Sequence, residues 1–174
     1  MQSTDRRRRI RWVMVVLASL AIASQSIAPL DADERSEAAA LQRALRLVTL
    51  DPSVRVVLIE PELAPDPEAL RSLDAFTVRQ PDGTLRPAIY INRRSPIVQA
   101  GASGSDFYVK VLAAVIHHEA RHLEGASESE ACRAEMEFFR SLVAQGEVPA
   151  VTGLSYLQLL SRRPDALHSS LDRR

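Results

Sequence analysis

The sequence predicts an α+β domain in which a small, mostly antiparallel sheet packs against a central helix and the helix that follows it. Three observations carry this expectation. Short β-branched runs cluster between residues 54 and 92, and two of them flank an Asp-Gly turn. An apolar three-to-four spacing precedes them, and two long helical patterns follow back to back, divided by Gly125. Strands in one stretch and helices in another point to α+β rather than to alternating βαβ units.

The chain begins with Arg6, Arg7, Arg8, Arg9 and Arg11 against one acid, Asp5, followed by an apolar run that ends Ala21-Ile22-Ala23. A basic region, about a dozen apolar residues and a small-x-small ending are the marks of an export signal. Residues 1–23 are therefore expected to be a signal peptide or, left uncleaved, an N-terminal membrane anchor. The apolar run is short of the roughly 20 residues that a membrane span needs. Export would place the protein in the periplasm or outside the cell, touching a membrane only through this segment.

Residues 24–35, with Pro29 and Asp33, read as a linker. Ser36 to Leu50 carries Ala40, Leu41, Ala44, Leu45 and Val48 on one helical face, and Asp51-Pro52 stops it. Val54 to Glu60 is a strand by its β-branched content, and Pro61 to Pro67 holds three prolines and reads as a loop. Ala75 to Arg79 and Arg86 to Asn92 form a hairpin around Asp82-Gly83. Ala88 to Asn92 is either an edge strand able to pair with an extended peptide or an internal strand. Arg93 to Ser105 reads as irregular because of Pro96, Gly101 and Gly104. Ser105 then caps a helix running through Glu124, and Gly125 breaks it. Ser127 and Glu130 form an S-x-x-E capping box that opens a helix to about Gln145. A short helix begins near Tyr156, and residues 162–174 are a tail.

The 174 residues carry 22 basic and 22 acidic side chains, with 46% hydrophobic and 25% charged, an ordinary globular balance. A chain of this make-up is not disordered throughout, and its bulk charge does not suit nucleic acid. The five arginines near the N-terminus leave residues 24–174 with a net charge of −4. The single cysteine, Cys132, excludes an internal disulfide and a Cys-rich zinc finger. About 150 residues bury roughly 70% of their unfolded surface, enough for one core without covalent staples.

The long helix contains His118-Glu119-Ala120-Arg121-His122. Histidines at i and i+4 project from one helix face, and their ring nitrogens can share one metal ion. Glu119, one position round from His118, can take a proton from a water that the metal acidifies, without becoming a ligand. Val111, Leu112, Val115 and Ile116 make this a core helix, a rigid support for such a site.

Continuing through Gly125 to Glu128, the run reads H-E-x-x-H-x-x-G-x-x-E and resembles the zincin metallopeptidases from Val111 to about Phe139. The spacing is similar to that of metzincins, in which a glycine allows the turn and a ligand follows three residues later; here that ligand is Glu rather than His. Met136 lies inside an expected helix rather than in a Met-turn. Glu128-Ser129-Glu130-Ala131 is also similar to gluzincins, whose third ligand is a Glu on a second helix. Cys132 stands where those carry a polar residue, so the partner that orients a ligand histidine is unassigned. The resemblance implies a zincin-like metallopeptidase domain over residues 36–161. It implies one Zn2+ per chain held by His118, His122 and Glu128, with Glu119 as general base and a peptide or protein as substrate. Glu130 is the rival third ligand, although the capping box already employs it.

His117 points about 100° away from His118 and reads as a structural residue or a support for a ligand, with a direct catalytic role the lesser alternative, and His168 reads as a solvated tail residue. Cys132 reads as a small, buried, apolar residue or as a regulatory thiol bound to the metal. Tyr108 and Tyr156 are aromatic packing residues or donors to a developing oxyanion. Glu135 and Glu137 read as a solvated helix face. The expected function is an exported zinc-dependent peptidase; the alternative is an inactive zincin-like metal-binding or interaction module of the cell envelope.

Overall fold

The computed structural model describes residues 31–63, 73–80 and 82–162. The export signal, the C-terminal tail from residue 163, and His168 lie outside the described residues.

The described residues form an α+β arrangement of five α-helices and one three-stranded sheet. The order is α1 (Ala32–Leu45), β1 (Arg55–Ile59), a 3-10 turn (Pro61–Leu63), β2 (Ala75–Arg79), β3 (Leu85–Asn92), α2 (Pro96–Ala102), α3 (Asp106–Leu123), α4 (Glu128–Ala144) and α5 (Ala150–Leu160).

The sheet is mixed rather than mostly antiparallel. Its order is β1-β3-β2, with β1 parallel to β3 from Arg55↔Ala88 to Ile59↔Asn92 and β2 antiparallel to β3 from Ala75↔Ile91 to Arg79↔Leu85. Parallel neighbours need a crossover of a dozen or more residues. Residues 60–84, which carry β2 to the far side of β3, supply it. The expected hairpin is present: Asp82 Oδ1 accepts from the Thr84 N–H at 2.9 Å, and Gly83 takes φ +85°. Because β3 is the central strand, Ala88 to Asn92 is internal, and the two edges belong to β1 and β2.

Helix α1 starts four residues before the expected Ser36, inside the expected linker. Its first turn is held from outside: Glu34 and Glu37 both pair with Arg93 at the end of β3. It ends at Leu45 rather than Leu50, tightening into i→i+3 bonds at Leu47 and Val48. Helix α2 was expected to be irregular chain. Ser95 caps it by accepting from the Ile97 N–H at 3.1 Å, and Pro96 fills N1, where its missing N–H costs nothing. Helix α5 starts at Ala150, six residues before the expected Tyr156. Its Gly153 is a contact glycine: a Cβ there would meet Val143 Cγ2 at 2.3 Å, so α4 and α5 approach at this point.

Helix α3 runs between two apolar clusters. Val109, Leu112, Ala113, Ile116 and Ala120 join α1, α2 and the sheet, with Ile89 and Ile91 fully buried beneath them. Val111 and Ala114 face Phe139, Leu142, Val148, Tyr156 and Leu160 of the α4–α5 side. A helix apolar on both sides is a buried one. The run His118 to His122 is therefore carried on a helix that contributes to both apolar clusters.

Candidate metal centre

The turn after α3 builds the site. Gly125 adopts φ +91°, its N–H bonds the His122 carbonyl at 2.9 Å, and the Ala126 N–H bonds the Arg121 carbonyl at 2.9 Å. This is a Schellman end, with glycine in the left-handed conformation that other residues adopt at a cost. The same turn brings the Ala126 carbonyl to 3.1 Å from His122 Nδ1. That contact directs His122 Nε2 toward His118 and Glu128.

Ser127 then caps α4 by accepting from the Glu130 N–H, while Glu130 Oε2 accepts from the Ser127 N–H at 2.8 Å. The capping box fixes where α4 begins and places Glu128 in its first turn, opposite the two histidines. His122 Nε2 is 3.1 Å from His118 Nε2 and 3.0 Å from Glu128 Oε2, and His118 Nε2 is 3.6 Å from Glu128 Oε1. The three ligand atoms all lie within 4.8 Å of one another, so one cation can touch all three. Glu130 is engaged in the cap, exposed, and held below the usual carboxylate range by its bonds from Ser127. Two neutral imidazoles and a carboxylate form the donor set of several catalytic zinc sites, and the residues present fit such an ion.

Glu119 is buried beside this cluster. Burial pushes its carboxyl up, against the pull of His118 and His122, and the carboxylates of Glu128 and Glu135 push it further. Burial lowers His118, but its interactions with Cys132 and with the accepting carboxylates of Glu128 and Glu135 outweigh it and push the imidazolium up to about 12. The bond to Glu128 raises His122 as well. Without a metal, protons supply the positive charge that this cluster of carboxylates demands.

One expectation fails here. Glu135 is not on a solvated face; it is 1% exposed. Its Oε2 lies 3.2 Å from His118 Nδ1, and its Oε1 accepts the Tyr156 hydroxyl at 3.1 Å. The buried face of α4 is Ala131, Glu135, Phe139 and Leu142, a helical stripe in which Glu135 takes an apolar position. That placement, and the seven-residue spacing that puts Glu135 on the face of Glu128, is the sequence signal that could have found it. Glu137 is exposed, as expected.

Tyr156 commits its hydroxyl to Glu135, and Tyr108 lies about 15 Å along α3 from His118, so neither stands as an oxyanion donor. His117 stacks on Phe138 at 4.9 Å between ring centroids, a packing role. Cys132 is half-buried rather than buried, and its thiol donates to Glu128 Oε1 at 3.3 Å.

Compared with known family models, curated proteins and solved structures, the chain finds no match.

Proposed function

We propose that this chain is an exported zinc metallopeptidase of the zincin type. The observation that carries this reading is the convergence of His118, His122 and Glu128 beside a buried Glu119. His118 and His122 would hold the metal through Nε2, and Glu128 through a carboxylate oxygen. Bound there, zinc supplies Lewis acidity, acidifying water and polarising a carbonyl oxygen. Glu119 accepts a proton as water adds to the scissile carbonyl and delivers it to the departing amine nitrogen. Helix α3, packed on both sides, keeps the two histidines and the glutamate in fixed relation during both transfers.

Among the described residues β1 and β2 are the outer strands of the sheet, and an outer strand is the kind of element with which an extended peptide pairs. Export rests on residues 6–23, and no helix among the described residues is long and apolar enough to cross a membrane. Trp12 is the only tryptophan, so a form processed after Ala23 lacks tryptophan fluorescence.

A second reading, a non-catalytic metal module, is favoured by one observation: the Cys132 thiol donates to Glu128 Oε1 at 3.3 Å, so that, although it is not among the three convergent groups, a turn of its side chain would bring a fourth donor and close the site. The two readings separate on the cobalt-substituted protein and on a quenched-fluorescence peptide library. An open peptidase site gives no thiolate-to-cobalt charge-transfer band and turns over peptides. A closed site gives the band and no turnover.

A further inference from the structure

We infer that Glu135, held in place by Tyr156, is the positioning residue for the ligand histidine His118. The inference rests on the metal-centre reading and assigns what orients each ligand.

The two histidines are steadied differently. His122 Nδ1 meets the Ala126 carbonyl within its own turn, 3.1 Å away. His118 Nδ1 lies at ion-pair distance, 3.2 Å, from the Glu135 carboxylate on the next helix, and that carboxylate takes the Tyr156 hydroxyl from α5 at 3.1 Å. The line Tyr156–Glu135–His118 crosses three helices and ends where a metal would sit.

A carboxylate is costly to bury, and Glu135 sits on a stripe otherwise filled by Ala131, Phe139 and Leu142. An apolar residue there would serve packing better. A carboxylate on Nδ1 does what packing cannot. It holds the N–H on Nδ1, so that the Nε2 lone pair faces the ligand cluster, and it makes the ring a stronger donor. Tyr156, 9% exposed and packed at 4.5 Å on the Phe139 ring, holds the second carboxylate oxygen. The close approach of α4 and α5 at Gly153 sets that contact, so α5 belongs to the support of the centre.

The test titrates Zn2+ against a chromophoric chelator in the full chain and in Glu135→Gln, Tyr156→Phe and Leu142→Ala. Glu135→Gln should weaken Zn2+ binding about 10–100-fold while the variant remains folded. Tyr156→Phe should weaken it less, in the same direction. Leu142→Ala disturbs the same cluster without touching the line, and should lower the melting temperature but leave Zn2+ affinity unchanged. Wild-type affinity in a folded Glu135→Gln protein overturns the inference and leaves the metal centre standing. A wild-type chain that binds no Zn2+ overturns the metal centre with it. Should Glu135→Gln not fold, nitrogen-15 spectra of the zinc-loaded wild type decide. A downfield, slowly exchanging Nδ1 proton on His118 supports the inference; a rapidly exchanging one, or a ring protonated at Nε2, overturns it.

Discussion

Three carboxylates converge at each of two places in this molecule, and the cation they meet differs. At the end of β3, Glu34, Glu37 and Glu60 surround Arg93, with Glu34 at 3.0 Å and Glu60 at 3.6 Å. Between α3 and α4, Glu119, Glu128 and Glu135 surround His118 and His122. A guanidinium keeps its charge at every working pH, so the first cluster is a permanent clamp of α1 onto the sheet. Imidazoles lose their charge and expose a lone pair, so the second cluster can exchange protons for a metal ion. Similar acid counts thus give a structural clamp in one half of the fold and a cluster that could hold a metal ion in the other.

The sharpest way to break this contrast is within the second cluster. Glu119→Gln should lower peptide turnover by about 10²–10⁴-fold while Zn2+ content stays at the wild-type level. Loss of zinc in that variant would make Glu119 a ligand rather than a base, and metal analysis beside the kinetics reads both. In the first cluster, Arg93→Met strands the buried Glu37 carboxylate, whose other partner is Gln99 Nε2 at 2.8 Å. The cost should be about 3 kcal/mol, on the order of 10 °C in melting temperature, with Zn2+ affinity unchanged. A change in affinity would show that the two clusters are coupled.

The pH dependence separates the clusters more gently. The folded value of His118 is raised from 6.5 to about 12 in the absence of metal. Its stabilising contribution is therefore complete below about pH 6.5 and fades as pH climbs toward 12. His122 and Glu119 are also raised and act in the same sense. Calorimetry in chelator should show the melting temperature falling across that window. With zinc bound the fall should be smaller, and Zn2+ affinity should rise with pH as the protons leave. A metal-free protein that grows more stable on the alkaline side would contradict this assignment. The smallest effect belongs to the cap: Ser127→Ala removes the hydroxyl that accepts from the Glu130 N–H, at about 1 kcal/mol by chemical denaturation. No measurable loss would mean that the turn at Gly125 alone sets the start of α4.

The same contrast explains what the sequence shows and what it hides. His118, Glu119, His122 and Glu128 are legible because helical periodicity, one glycine turn and one capping box relate them, all within eleven residues. Glu135 and Tyr156 are not, because their meeting depends on how α5 folds over α4, and the Gly153–Val143 contact that sets it is invisible in local pattern. Glu135 resembled any helix-surface acid until its neighbours Ala131, Phe139 and Leu142 proved to be the buried face. Helix α2 was hidden by Pro96 and Gly101, read as breakers although Ser95-Pro96 is a helix start. The hairpin was legible from Asp82-Gly83, whereas the parallel pairing of β1 with β3 was not, since it is made across residues 60–84. The early start of α1 followed from Arg93, nearly sixty residues away, reaching back to Glu34 and Glu37.

The central claim is that His118, His122 and Glu128 form one metal site, and zinc stoichiometry of the folded chain tests it most directly, beside His118→Ala and Glu128→Ala. One zinc per chain, bound much more weakly in both variants, is the predicted result. A well-folded wild-type protein that takes up no zinc after reconstitution would contradict it.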